Sequence, residues 1–589
     1  MLDIPVLIAA IELGSSTNIL AYVANPALFT RHATALDAAE KRARASLACE
    51  IPDLPWSKFR LFKDTGDRSQ YEAPYFERRK RLSDLEICLL AGRDTDGTLL
   101  LALEDLIWEI CNEYTWSLPA HIGISNRPTG IELDLFSSET GFYLAEALHL
   151  FADKLDSRVV ARCRAEIKRR ILDSYLGNYS TCWWEAGKNN WGAVCAGSIG
   201  MAFLYEEKDP QRLKAALSRV LKTMDLFIGS FPEDGTCEEG YGYWNYGFGF
   251  YTVFAEALLE YTGGKVNLFD FPKIHKIALF PQRVSLSQGR TVSFSDGSRF
   301  RSVEHSIMSC LNRHFGDLAR CGGDIGKRSH AKPSHLIRNF AWTDPARVAE
   351  TLPDKTEYFK DAQWLVLRQA PFAFAALFGN NGVSHNHNDI GSFLMVDGEQ
   401  EGPMDLGSGE YTRQYFSGQR YEILCNGSQG HSVPIVGGKL QKAGAQYKAT
   451  DVCLAEKDGK VIFSGDIAGA YGLEALSSLR RTFEVSPLEA KTKVVDAFAF
   501  SGDALPVTER FVGYAKAEVT APGKVSFGAF TASFDPSLKA AVKTEKMSNH
   551  GGRTSTEVFI LDIEVPAGTP SFTIEFKGGI GRLEQIPSP

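Results

Sequence analysis

The apolar positions of this chain change period part-way along. In residues 158–176, Val160, Cys163, Ile167, Ile171 and Tyr175 recur every three or four positions, the spacing that lines one face of a helix. Asp156 or Ser157 is placed to cap it. Residues 210–228 repeat the pattern with Leu213, Leu217, Val220, Leu221, Met224 and Phe227. Residues 35–49 are rich in Ala, Arg and Lys without a strand pattern, and 75–115 hold long helical runs including Leu99–Tyr114. A further helix is expected over 244–262, stopped by Gly263-Gly264. Amphipathic helices joined by short loops predict an array of α/α hairpins, a solenoid or a toroid. There is no fixed-period sequence repeat.

The texture changes near 275–290. From there, short alternating runs end in turn residues: Arg290–Phe294 before Asp296-Gly297, Val461–Phe463 before Gly465, Thr492–Phe500 before Ser501-Gly502, Thr556–Glu564 before Pro566-Ala567-Gly568, and Ser571–Phe576. Many short strands without βαβ spacing predict antiparallel sheets, stacked or as a sandwich. The expected organisation is α+β and multidomain, with a helical domain over 1–275 and an antiparallel β-sheet or sandwich domain over 276–589.

One stretch of the second half concentrates chemistry: Ser384-His385-Asn386-His387-Asn388-Asp389-Ile390-Gly391-Ser392-Phe393. Strand candidates flank it, Trp364–Arg368 and Phe372–Phe378 before, Ser392–Val396 after. In a strand, residues i and i+2 share a face, so His385 and His387 are expected to project together, with Asp389 able to join them. Asp405 and His431 follow closely. Imidazole and carboxylate are the usual ligands of zinc and similar divalent ions. An isolated His-X-His is more often a pair of loop histidines bonded to backbone. The neighbouring Asn residues, Asp405 and His431 shift that balance.

Composition narrows the partners. At 589 residues the chain is long enough for two to four domains. A formal net charge of −8 provides no global basic field for nucleic acid or another polyanion. An acidic substrate must therefore meet local cations. The 11 cysteines are scattered, odd in number and without a CxxC pair, which suits buried apolar thiols rather than disulfides or a zinc ribbon. No apolar run is long enough to span a bilayer, and residues 1–5 lack a basic leader region. The expected location is cytoplasmic if Met1 is the native start, and periplasmic or secreted if a signal peptide has been removed.

Two clusters in the helical half are dense in Trp, Tyr, Asn and carboxylates. They are Trp183–Trp191, leading into the small-residue run Gly192–Phe203, and Glu233–Gly247. Loop positions of that composition often bind a ligand. The bland alternative is that the aromatics pack one hairpin on the next.

Taken together, these residues resemble the heparinase II/III-type polysaccharide lyases. In the first half the resemblance rests on Trp56 with Thr65-Gly66-Asp67-Arg68, on Trp116-Ser117-Leu118-Pro119-Ala120-His121, on Asp134-Leu135-Phe136, on Asn189-Asn190-Trp191 and on Asp234-Gly235 with Glu239-Gly240 and Tyr243. In the second half it rests on His385–Phe393, Asp405 with Tyr411, Arg420-Tyr421 and His431 with Pro434. It implies an incomplete (α/α) toroid followed by antiparallel β-sheets, and β-elimination on uronic-acid glycosaminoglycan chains.

That chemistry needs a donor to the uronate carboxylate, a base for C5–H and an acid for O4. By resemblance these fall to Asn190, His385 and Tyr243, with Asn189, Trp191, Glu239, Tyr246, Arg299 and Arg420 as substrate-binding candidates. Tyr243 is also a candidate base for one substrate epimer. Helical spacing puts Tyr246 on the same face as Tyr243, so the choice of acid is open between them. Trp191 follows Asn190 where some relatives place a histidine, which bears on epimer preference. His387, Asp405 and His431 are the expected ligands of one divalent ion, zinc favoured and manganese the alternative. The expected partner is an acidic polysaccharide, with no nucleic acid and no membrane; oligomeric state is unknown. The competing expectations are a lyase for alginate or glucuronan, and a metal-dependent hydrolase.

Overall fold

The computed structural model describes residues 3–11, 14–286, 289–300, 305–319, 325, 332–345, 351–548 and 555–579. Met1, Leu2 and Cys321, which entered the sequence argument, lie outside them. The described cysteines are free thiols, most of them buried. Among the described residues no helix is long and apolar enough to cross a membrane.

The contacts divide the chain into two units. The first comprises residues 1–231, 244–278 and 302–351; the second comprises 232–243, 279–301 and 352–589. The single boundary expected at 275/276 is therefore corrected. Residues 232–243 belong with the sheets. The helices His305–Phe315 and Pro333–Trp342 belong with the helical unit. Their buried faces, Ile307, Met308, Cys310 and Leu311 in one and Leu336, Ile337 and Phe340 in the other, carry the helical period that decides their place.

In the helical unit, Asn190–Glu206 is buried almost all round, as its small-residue sequence allows. It packs against Leu135–Phe151, Pro210–Ser230 and Gly249–Tyr261. A Cβ on Gly200 would lie 2.6 Å from Phe254 Cε2, so glycine there is what permits the approach. Asp134 caps Leu135–Phe151 through a reciprocal box with Ser137. Asn189 caps Asn190–Glu206 by accepting from the Trp191 amide at 3.1 Å. The periodic run 158–176 is a near-continuous rod, capped by Asp156 and widened to a π turn at Lys168–Leu172.

The second unit is built from antiparallel sheets. One runs in the order Lys355–Phe359, Trp364–Gln369, Phe372–Leu377, Phe393–Asp397, Gln400–Glu401. An eight-stranded sheet runs Ala517–Ala521, Lys524–Phe527, Phe530–Phe534, Ser571–Gly578, Lys491–Phe500, Leu476–Ser486, Lys460–Asp466, Thr450–Lys457. A four-stranded sheet runs Lys539–Ser548, Ser555–Val565, Val507–Gly513, Ile435–Val436. Phe393 of the first sheet meets Phe483 and Phe576 of the second at 5.3 and 5.9 Å, and Phe511 of the third at 6.2 Å. The three sheets therefore share one aromatic core. Phe372–Leu377 and Phe393–Asp397 are buried along their whole length, which is why they read as continuous apolar runs.

A buried ion pair fixes the loops that carry the chemistry. Arg481, wholly buried, pairs with Asp496 and Glu509. Its Nη1 donates to the carbonyls of Gly391 and Ser432, at 3.0 and 2.6 Å. One guanidinium thus ties the His385–Gly391 loop and the His431 segment to the same strand.

Candidate active site and metal centre

The stretch 384–392 is a loop between Phe372–Leu377 and Phe393–Asp397, not a strand. Strand alternation is therefore not what aligns its histidines. His385 takes a left-handed backbone, φ +57, at a cost of about 1 kcal/mol that histidine tolerates better than most residues. The two imidazoles converge on one acceptor instead. His385 Nδ1 is 2.7 Å from Asp296 Oδ2, and His387 Nε2 is 3.0 Å from Asp296 Oδ1.

Asp296, which the sequence shows only as half of a turn dipeptide, is the hub. Its side chain is fully buried. Tyr411 donates to Oδ2 at 3.1 Å, while Tyr415 and the Arg420 guanidinium, the latter at 3.1 Å, donate to Oδ1. Burial opposes ionisation, but the hydrogen bonds from His385 and His387 hold the carboxyl well below the usual range. Against an ionised carboxylate, which only accepts, each histidine must present an N–H. That leaves Nε2 of His385 and Nδ1 of His387 as the free nitrogens.

Tyr243 completes this face. Its ring stacks on the His385 imidazole with centroids 4.0 Å apart, and its hydroxyl lies 2.6 Å from that of Tyr411. Burial, and then the Asp296 charge, hold the phenol protonated far above its ordinary range. Glu239 Oε2 stands 3.8 Å from His385 Nε2.

Behind the loop, His387, Asp389, Asp405 and His431 bring ligand atoms within 4.8 Å of one another, all of them buried. The three residues expected from the sequence are together, and Asp389 joins them. Their orphaned atoms fit a cation. Nδ1 of His387 has no hydrogen-bond partner, and Nδ1 of His431 and Oδ2 of Asp405 face each other at 3.2 Å without a well-formed hydrogen bond. His431 Nε2 donates to the Cys425 carbonyl at 2.9 Å, and Asp405 Oδ1 accepts from the Gly407 amide at 2.8 Å. These outer bonds turn the lone pairs inward, as second-shell contacts do around bound metals. Burial, reinforced by Asp405, pushes Asp389 up to about 7. Two carboxylates crowded this way with two imidazole nitrogens are the donor set a divalent ion satisfies.

The remaining candidates disperse. Arg420 lies inside the network, donating to Asp296 and to the Asn386 and Tyr415 carbonyls. Arg299 pairs with Glu401 at 2.8 Å and stacks on Tyr514 at 3.7 Å. In the helical unit, Asn190 is buried at the start of its helix, and Asn189 is the cap. Trp191 packs between His121 and Trp183 at 4.9 and 5.1 Å. Tyr246 lies within the π turn Trp244–Phe248 that follows Tyr243, and it donates at 2.5 Å to Glu139, with the Lys332 ammonium over its ring. The π turn departs from the α-helical spacing behind the expectation of one shared face, and the two hydroxyls have different partners, Tyr411 for Tyr243 and Glu139 for Tyr246.

The comparisons agree with this architecture. Residues 351–547 match the family described as heparinase II/III-like, C-terminal. No curated protein matches the sequence. The fold is similar to that of heparinase III (13% identity, TM-score 0.61, covering 87% of this chain and 77% of that one). It is similar to the heparan sulfate lyase HepC from Pedobacter heparinus (12%, TM-score 0.54, 92% and 88%). It is also similar to the chondroitin AC lyase from Streptomyces coelicolor A3 (12%, TM-score 0.53, 94% and 80%). The chain thus has the helical-plus-sheet fold of the heparinase II/III-like polysaccharide lyases.

Proposed function

We propose that this chain, with a heparinase II/III-like segment at 351–547, is a polysaccharide lyase that breaks uronic-acid glycosaminoglycan chains by β-elimination. The observation that carries the reading is the stacking of Tyr243 on His385. Elimination at a uronate removes a proton from C5 and a leaving oxygen from C4, on adjacent carbons. It needs a base and an acid a few ångströms apart, one with a free lone pair and one held protonated. His385 Nε2 and the Tyr243 hydroxyl meet those terms.

In this reading His385 Nε2 takes the C5 proton. The electron pair left on C5 forms the C4=C5 double bond, the C4–O4 bond breaks, and the Tyr243 proton passes to O4. Transfer of the proton on His385 to the phenolate, directly or through water, resets the pair. The Tyr411 hydroxyl donates to Asp296 and accepts from the Tyr243 hydroxyl at 2.6 Å, which orients the Tyr243 oxygen. Asn190 has the role of amide donor to the substrate carboxylate, where charge develops in the transition state. Trp191 and Glu239 remain candidates for binding the acidic chain.

The ion site is read as structural. A divalent ion held by His387, Asp389, Asp405 and His431 would crosslink the three loop segments that carry them. Two imidazoles and two carboxylates in a four-donor set favour zinc over manganese. All four ligands are buried, which leaves no room for substrate at the ion and argues against the hydrolase alternative. The test is a panel of chondroitin sulfate, dermatan sulfate, hyaluronan, heparan sulfate, glucuronan and alginate, followed by ultraviolet absorbance of the unsaturated product. Absorbance on a glycosaminoglycan supports the reading; absorbance on alginate or glucuronan alone moves the substrate, and cleavage without absorbance overturns it.

A further inference from the structure

We infer that Asp296 is a positioning residue that ties occupancy of the ion site to the pose of Tyr243 and His385. The inference rests on the ion-site reading above.

The geometry makes Asp296 a direct side-chain link between two sets of groups. Its Oδ1 holds His387, whose opposite nitrogen faces the ligand cluster. Its Oδ2 holds His385 and Tyr411, and Tyr411 holds Tyr243. A carboxylate is a rigid plane, so rotation about Cβ–Cγ moves both oxygens together. An imidazole is equally rigid. A pull on Nδ1 of His387 displaces its Nε2–H, then Asp296, then His385 and Tyr411.

The backbone gives this lever a fixed pivot. The turn that carries Asp296 has Ser295 at φ +59, with the Ser295 hydroxyl bonded to the Glu238 carbonyl. Gly407 approaches so closely that a Cβ there would lie 2.3 Å from the Gly297 carbonyl oxygen. The Ser408 amide donates to that same oxygen, and the Ser293 hydroxyl donates to the Asp405 carbonyl. The turn is therefore fastened to the segment that supplies a ligand, and torsion of the carboxylate is its main remaining freedom.

Asp296→Asn in the full chain tests this, because it keeps the shape but can accept at only one of the two positions. Zinc affinity is measured by competition with a chromophoric chelator, and turnover at saturating zinc on whichever polysaccharide the wild type cleaves. The expected result is a 10–100-fold loss of affinity, together with a fall of more than tenfold in kcat and a KM within about twofold. Wild-type affinity, or wild-type kcat at saturating zinc, overturns the inference. If Asp296→Asn fails to fold, the ¹⁵N imidazole signals of the wild type decide. The His385 signal, assigned by its loss in His385→Gln, should shift when zinc is added to the chelator-stripped protein, although His385 is not a ligand. No shift overturns the coupling. A wild type that binds no zinc removes the ion reading and this inference together. An inactive protein that nevertheless shows the shift removes only the lyase reading.

Discussion

The Tyr243 ring lies over the His385 imidazole with centroids 4.0 Å apart and planes 24° from parallel, although the two residues are far apart in the chain. The stack sets one hydroxyl and one free imidazole nitrogen side by side. Asp296 and Tyr411 hold the pair from beneath.

Tyr243→Phe removes only the hydroxyl and keeps the stack. Turnover should fall by roughly 10²–10⁴-fold on every substrate the wild type cleaves. Tyr246→Phe removes a bond to Glu139 instead, and should act mainly on stability. Initial rates and melting temperatures of the two variants check this. A dead Tyr246→Phe beside an active Tyr243→Phe would reverse the assignment.

Asn190 and Asn189 should separate in kind. Asn190→Ala is expected to lower kcat by about 10²–10³-fold, the usual loss of one preorganised donor. Asn189→Ala removes the helix cap and should cost about 1 kcal/mol of stability with a smaller effect on rate. Urea unfolding alongside kinetics distinguishes the two.

Asp405→Ala or His431→Ala should abolish stoichiometric binding of a divalent ion. Chelation of the wild type should lower its melting temperature, because an ion bound only by the native state stabilises it. Elemental analysis of wild type prepared without chelator should find about one ion per chain. None bound would overturn the ion reading of the cluster.

Glu238 gives a pH signature. Burial, then the Asp234 and Asp361 charges, push its carboxyl up to about 7. A raised carboxyl means the unfolded chain loses this proton first. Stability therefore falls as pH rises from near 4.5 to near 7, and the penalty is fully present above that window. Glu238→Gln should raise the melting temperature at pH 8 and leave it nearly unchanged at pH 4.5. The gain at pH 8 should be on the order of 3 kcal/mol. An equal effect at both values would mean the carboxyl is not held protonated by the fold.

Much of this was legible before the structure. The 3.6-residue period found the rods, including the Asp156 cap and the Gly263-Gly264 stop. Alternation and turn dipeptides found the sheets, and the fully buried Phe372–Leu377 and Phe393–Asp397 stood out as apolar runs. His387, Asp405 and His431 were found because their residue types are rare together. Asp296 was missed because its role comes from convergence. Its five donors come from positions 385 to 420, and nothing local in Ser295-Asp296-Gly297 announces them. Asp389 was visible two residues from His387, but only the loop geometry turns it inward. The domain boundary failed for a related reason. Sequence order suggests one change of texture, whereas residues 232–243 and 302–351 each belong to the unit their neighbours in sequence leave.

The central claim is that the bond breaks by elimination, and the mass of the product tests it most directly. A digest of the best glycosaminoglycan substrate, read by mass spectrometry, should give oligosaccharides one water lighter than saturated fragments of the same length, and Tyr243→Phe should give almost none. Fragments of full saturated mass, formed at wild-type rate by Tyr243→Phe, would contradict the account.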